Sequence, residues 1–295
     1  MPTADLDALT HMNITDLHRS FKVANRPLLR RLVTLVGWLP ARRLAMSMAT
    51  CDALAGSAGL AAAGRVIVKD YAGALDIVDA EHLPRQGPVL ICANHPGMVD
   101  ASALFTAIPR NDVRVLAADR PLLRAMPNIA ARLICVPDDA RGRAQAMRQA
   151  IQHVRQGGAL LTFPAGRIEP DPALMADAAS TLPSWSDFTA LLCRTIPDLP
   201  VVGVLISGVI SGRALRNRWI QRIHDRKDRE WMAATLQLIV PWYKAPLVRI
   251  RCAPAITSPN TAHIQLLQTM AALIASEQAA RQSCLLAPTS GVIHD

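Results

Sequence analysis

The sequence predicts an α/β fold, a mixed central sheet flanked by helices, with an N-terminal membrane-associating helix pair. Three observations predict it. From Tyr71 onward, short apolar runs alternate with helical stretches. Ahead of them lies a basic helical stretch, with seven Lys or Arg between Leu17 and Cys51 and no acidic residue. No repeat, low-complexity tract or linker divides the chain, so its 295 residues form one catalytic domain over 65–295 behind an N-terminal appendage over 1–64.

The appendage comes first. Residues 1–13 are expected to be a loose tail, too acidic and polar at the start for a signal peptide. Leu28, Leu29, Leu32, Leu35 and Val36 recur at helical spacing with Arg30, Arg31 and Thr34 off the stripe. This predicts a basic amphipathic helix over Arg26–Trp38, ended by Pro40. A second helix is expected from about Ala41 to Ala63. It approaches spanning length, but Asp52, Gly56 and Gly59 interrupt it, and a central Asp costs about 2.5–3.5 kcal/mol in hydrocarbon. It is therefore interfacial or packed on the domain. The protein is expected to sit peripherally or monotopically on the cytoplasmic face of a membrane, with membrane lipids as partners.

Seven strands follow: Leu75–Val78, Pro88–Ala93, Val113–Ala118, Leu133–Val136, Ala159–Phe163, Val201–Ile206 and Leu247–Cys252. Helices are expected near 99–108, 121–131, 141–156, 184–196, 214–235 and 260–283. The net charge of +9 suits anionic lipid, acidic metabolites or nucleic acid, but no nucleic-acid motif, P-loop or GxGxxG is present. The six cysteines form no CxxC, and the eight histidines form no HxxxH or HExxH pair. No metal, redox centre or cofactor is expected. His153 and His224 are expected to be solvated. Trp185, Trp219, Trp231 and Trp242 are expected as core or interface anchors. The basic run from Arg213 to Glu230 is a solvated helix face or a binding patch for a donor phosphopantetheine or carrier protein.

The densest chemical signal is Val89–Phe105, where an apolar strand runs into Asn94-His95, then a Pro96-Gly97 breaker, then a helix. On one continuous helix His95 and Asp100 would stand about 140° apart. The Pro-Gly breaker instead lets His95 sit on the turn while Asp100 rises from the first helical turn behind it. A histidine with a carboxylate at its back can take a proton from a hydroxyl near neutral pH. There is no GxSxG nucleophile elbow, and an activated thioester donor needs none.

Asn94-His95-Pro96-Gly97-Met98-Val99-Asp100 resembles the NHxxxxD motif of the glycerolipid acyltransferase family, which includes lysophosphatidic acid acyltransferases. Phe163-Pro164-Ala165-Gly166-Arg167 resembles that family's FPEGTR block. Leu133–Pro137 is similar to its second block and Leu199–Val204 to its fourth, in the family's order. The resemblance implies fatty-acyl transfer from acyl-CoA or acyl carrier protein to a lipid hydroxyl. His95 and Asp100 would then be catalytic, and Asn94, Gly97, Phe163, Pro164, Gly166, Arg167, Arg141 and Arg143 would bind substrate. Departures bear on the acceptor. Ala165 replaces the block's Glu, with Glu169 as a stand-in carboxylate. Pro137-Asp138-Asp139 replaces a basic end, leaving Arg141, Arg143 or Arg167 for an acceptor phosphate. A weakly catalytic lipid-binding protein and an acyl-thioester hydrolase are the alternatives.

Overall fold

The computed structural model describes residues 3–97 and 99–286, the side chains of 283–286 excepted. Its sheet contains the strands β1 (Leu75–Val78), β2 (Val89–Ala93), β3 (Arg114–Ala118), β4 (Leu133–Val136), β5 (Ala159–Thr162), β6 (Val201–Ser207) and β7 (Val248–Cys252), in the order β1-β7-β6-β2-β5-β3-β4. Strands β2 to β6 run parallel, and β7 is antiparallel to β6 with β1 parallel to β7, so the sheet is mixed. The predicted strands are therefore all present, with ends shifted by at most one residue. Strands β2, β5 and β6 are buried at every position, as expected of central parallel strands covered on both faces.

The N-terminal region departs from its expectation. The expected loose tail over 1–13 is helical from Leu6: α1 (Leu6–Ser20) starts there, capped by Asp5, whose Oδ1 accepts from the backbone N–H groups of Asp7 and Ala8. Pro40 does not end a helix, because α2 runs unbroken over Pro27–Ser57. Residue 36, whose carbonyl Pro40 leaves without an intrahelical partner, lies on the exposed side of α2, where water can satisfy it. The second helix is thus the far half of α2, followed by α3 (Leu60–Tyr71), and position 64 falls inside α3.

The appendage is also core. Leu9, Ala45, Ala55, Leu60 and Ala63 are all within 2% of full burial, and they share one cluster with the inner faces of β2, β5, β6 and β7. Asp52, fully buried, accepts from Asn128 Nδ2 at 2.9 Å and from the Ile129 N–H at 2.8 Å. Gly64 lets α3 press directly on α4 (Asp100–Ala107): a Cβ at this position would stand 2.2 Å from the Ser102 carbonyl oxygen. Among the described residues, no helix is long and apolar enough to cross a membrane.

The helix expected over 121–131 is two short ones, α5 (Pro121–Arg124) and α6 (Pro127–Ala130), each opened by its own proline. Then come α7 (Ala140–Arg155), α8 (Phe188–Thr195), α9 (Gly212–Leu215), α10 (Arg226–Ile239) and α11 (Ala262–Leu286). The continuous helix expected over 214–235 is interrupted between α9 and α10, where the Asn217 side chain accepts from the Trp219 N–H. His153 is not simply solvated, since its Nε2 lies 3.0 Å from the Ala159 carbonyl at the start of β5. Trp185 is buried, whereas Trp219, Trp231 and Trp242 are exposed.

Candidate active site

Ligand sites in open parallel sheets lie outside the carboxyl ends of the strands, and the predicted residues meet there. The register sets Cys92 of β2 opposite Thr162 of β5, so the turns following these strands emerge side by side. His95 stands on the first turn and Phe163 opens the second. Their rings are 4.7 Å apart at an interplanar angle of 32°.

His95 Nδ1 lies 2.7 Å from Asp100 Oδ2. The same oxygen accepts from the Gly97 N–H at 2.9 Å, and Oδ1 accepts from the Ala101 N–H. The turn is thus wrapped round a fully buried carboxylate. The His95 side chain keeps 30% of its surface open, and Nε2 makes no hydrogen bond to any described residue. With Nδ1 donating to the carboxylate, neutral His95 presents an unprotonated Nε2. Burial works to lower the His95 pKa. The Asp100 charge and hydrogen bond, helped by the Glu169 charge, outweigh it and hold the pKa above its ordinary value.

Asn94 acts on the site through the backbone. Its Nδ2 donates to the Ile206 carbonyl and its Oδ1 accepts from the Ile206 N–H, at 2.9 and 2.7 Å. This amide, 3% exposed, continues the β2–β6 pairing one residue beyond the strand, so His95 hangs from a fixed point.

The turn after β5 closes with the Gly166 N–H donating to the Phe163 carbonyl at 3.0 Å. Gly166 has φ +62°, a left-handed conformation that favours glycine. Pro164 is buried, and its carbonyl accepts from the Ser186 N–H. Arg167 is exposed, with Nη2 donating to Ser184 Oγ at 2.9 Å. Arg141 and Arg143 are exposed at the start of α7, after β4. Strand β4 is three places from β2, about 14 Å across the sheet at the usual strand spacing. The structure therefore brings Arg167 to the strand beside His95 and leaves Arg141 and Arg143 aside. Asp139 caps α7 by accepting from the Gly142 N–H, and Arg143 donates to the Asp138 carbonyl.

Two carboxylates on the segment after Arg167 complete the site. Glu169, 2% exposed, accepts from the His95 N–H at 2.9 Å through Oε2, and from Thr181 Oγ1 and Trp185 Nε1 through Oε1. Its own N–H donates to the His95 carbonyl at 2.8 Å, so Glu169 clamps both sides of the His95 backbone. Asp171, fully buried, accepts from the N–H groups of Ala173, Gly208 and Ile210 and ties this segment to the loop after β6. Burial pushes its pKa up against those hydrogen bonds. Sequence reasoning missed Asp171. The available signal was a pair of acids set between prolines, Glu169-Pro170-Asp171-Pro172, in an otherwise apolar loop.

Residues 74–207, from β1 through β6, match the Acyltransferase family model. This segment is similar to that family. The matched segment includes both turns and the Asp100 helix, while α1, α2 and α3 precede it and α9 to α11 follow it. Among solved structures, the chain is similar to the crystal structure of the 1-acyl-sn-glycerophosphate (LPA) acyltransferase PlsC from Thermotoga maritima. The identity is 12%, the TM-score 0.46, and the match covers 93% of this chain and 98% of that one. No curated protein matches the chain.

Proposed function

We propose that this protein is an acyltransferase that moves a fatty acyl group from a thioester donor, acyl-CoA or acyl carrier protein, to a hydroxyl of a lysophospholipid-like or other lipid acceptor at a membrane surface. The observation carrying the proposal is the His95–Asp100 pair: a buried carboxylate behind an imidazole whose other nitrogen is open at the carboxyl edge of the sheet. His95 Nε2 takes the acceptor hydroxyl's proton as the oxygen attacks the thioester carbonyl. The tetrahedral intermediate collapses with cleavage of the C–S bond, and the imidazolium returns the proton to the leaving thiolate. Asp100 holds the ring and offsets its transient charge.

The membrane part of this reading is supported by the first half of α2. Leu28, Leu32, Leu35, Val36 and Leu39 are between 55% and 79% exposed, with Arg30 and Arg31 also exposed among them. An apolar stripe flanked by arginines suits an anionic interface.

His95→Ala tests the chemistry. It should cut transfer by about 10²–10⁴-fold with the fold unchanged. A folded variant with the wild-type rate would remove His95 as the base.

A further inference from the structure

The segment from Ser211 to Tyr243 has no part in the chemistry above, yet it begins beside the catalytic turn. It follows the loop that Asp171 holds, and a Cβ on Gly97 would stand 3.2 Å from Val209. Ile210, Ala214, Ile220 and Ala233 give the segment a small core of its own. At its far side it meets the appendage. Trp231 Nε1 donates to Ser20 Oγ at 2.7 Å, and Ile239 packs in the cluster that also holds Val33 and Trp38 of α2. The segment therefore connects the His95 turn to the half of α2 that carries the exposed leucines.

Its outer surface is unusual. Trp219 is 75% exposed and Trp242, three residues beyond Ile239, is 71% exposed. Tryptophan is normally among the more buried side chains, so two open indoles on one short segment need a cause. Each indole is covered by a guanidinium: Arg222 lies 4.9 Å from the Trp219 ring centroid and Arg213 lies 5.2 Å from that of Trp242. Arg213, Arg216, Arg218 and Arg222 are all exposed, and none has an ion-pair partner among the described residues. No Asp or Glu occurs from Leu199 through His224.

We propose that Trp219 and Trp242, each backed by its arginine, form a contact surface for an anionic bilayer beside the catalytic turn. This rests on the reading that the enzyme works at a membrane. Indoles settle at headgroup depth, where one edge is apolar and the other wet. A guanidinium stacked on the ring then meets lipid phosphates with paired N–H donors. The surface assigns recognition of the membrane to both ends of the α2–α10 contact and brings the layer that holds the acceptor to the side of the His95 turn.

The test uses the full-length protein and phosphatidylcholine vesicles with and without phosphatidylglycerol, with no acyl donor present. The double variant Trp219→Ser/Trp242→Ser should bind the anionic vesicles about tenfold more weakly or worse. Arg213→Ala/Arg222→Ala should weaken binding most at low salt. Tryptophan emission of the wild type should be quenched by bromine-labelled lipid, and that quenching should fall in the double variant. Transfer between water-soluble short-chain substrates should be unchanged in both variants, which also shows that they are folded. Affinity within twofold of wild type would overturn the assignment. So would unchanged vesicle binding with lost transfer from acyl carrier protein, which would make the patch a docking site for an acidic donor protein. Failure of the acyl-transfer reading would appear separately, as absent turnover in the soluble assay.

Discussion

The turn after β2 and the turn after β4 carry the two halves of the expected site, and they are built in opposite ways. The first is closed. Asp100 and Glu169 are both buried, and between them they accept from the His95 ring and from the N–H groups of His95, Gly97 and Ala101. The second is open, with Asp139 and Arg143 occupied in capping and bracing α7 itself. A proton-transfer group has to be held within a few tenths of an ångström, and a buried, fully bonded turn does that. An exposed arginine suits a headgroup whose position varies.

Asp100→Asn attacks the closed turn most directly. It removes the charge facing His95 Nδ1 and leaves the shape, so kcat should fall by about 10²–10⁴-fold. The measurement is a kcat comparison at saturating acceptor. A rate near wild type would reduce Asp100 to a residue that merely shapes the turn.

Glu169→Gln is expected to be milder, about tenfold in kcat, because the amide oxygen can still accept from the His95 N–H. Its useful readout is the pH profile. His95 is active as a base only when neutral, and its pKa is held above the ordinary value partly by the Glu169 charge. The rate therefore rises as pH climbs through that raised pKa, and removing the Glu169 charge should move this acid limb to lower pH. A limb that stays in place would leave Glu169 a structural clamp without electrostatic influence on the base.

The smallest effects fall on the exposed arginines. Arg167→Ala should raise the acceptor KM several-fold with the donor KM little changed, while Arg141→Ala and Arg143→Ala should change it less, given their distance across the sheet. A panel of lysolipid acceptors with one acyl donor completes this comparison. The expected order places lysophosphatidic acid below an acceptor with a different headgroup, such as a lyso-amino-acid lipid. A clear preference for lysophosphatidic acid, lost in Arg141→Ala or Arg143→Ala, would show that the open turn carries the phosphate site.

The sheet was legible because each central strand is an apolar run bounded by Gly, Pro or a polar turn, and burial on both faces leaves little else for such runs to be. The pairing of His95 with Asp100 was legible for a local reason: the Pro-Gly breaker and the helix start lie within five residues. The role of Glu169 was not, since its contacts with His95 span 74 positions and depend on the β2–β5 register. The N-terminal errors had another origin. The first residues look polar, but Leu6, Leu9, Ile14 and Leu17 form an apolar row behind the Asp5 cap, and packing on α2 decides the matter. Pro40 counted as a terminator because propensity ignores that the freed carbonyl of residue 36 faces water.

That uninterrupted α2 is a rod about 46 Å long at 1.5 Å per residue. Its far half is set in the protein interior through Ala45, Cys51 and Ala55, and its near half holds the exposed leucines. A break in the helix between these halves would uncouple the leucines from the interior. Continuous hydrogen-bonded helix ties them together, so under the proposed membrane reading the way the leucines lie also sets how the His95 turn faces the lipid layer.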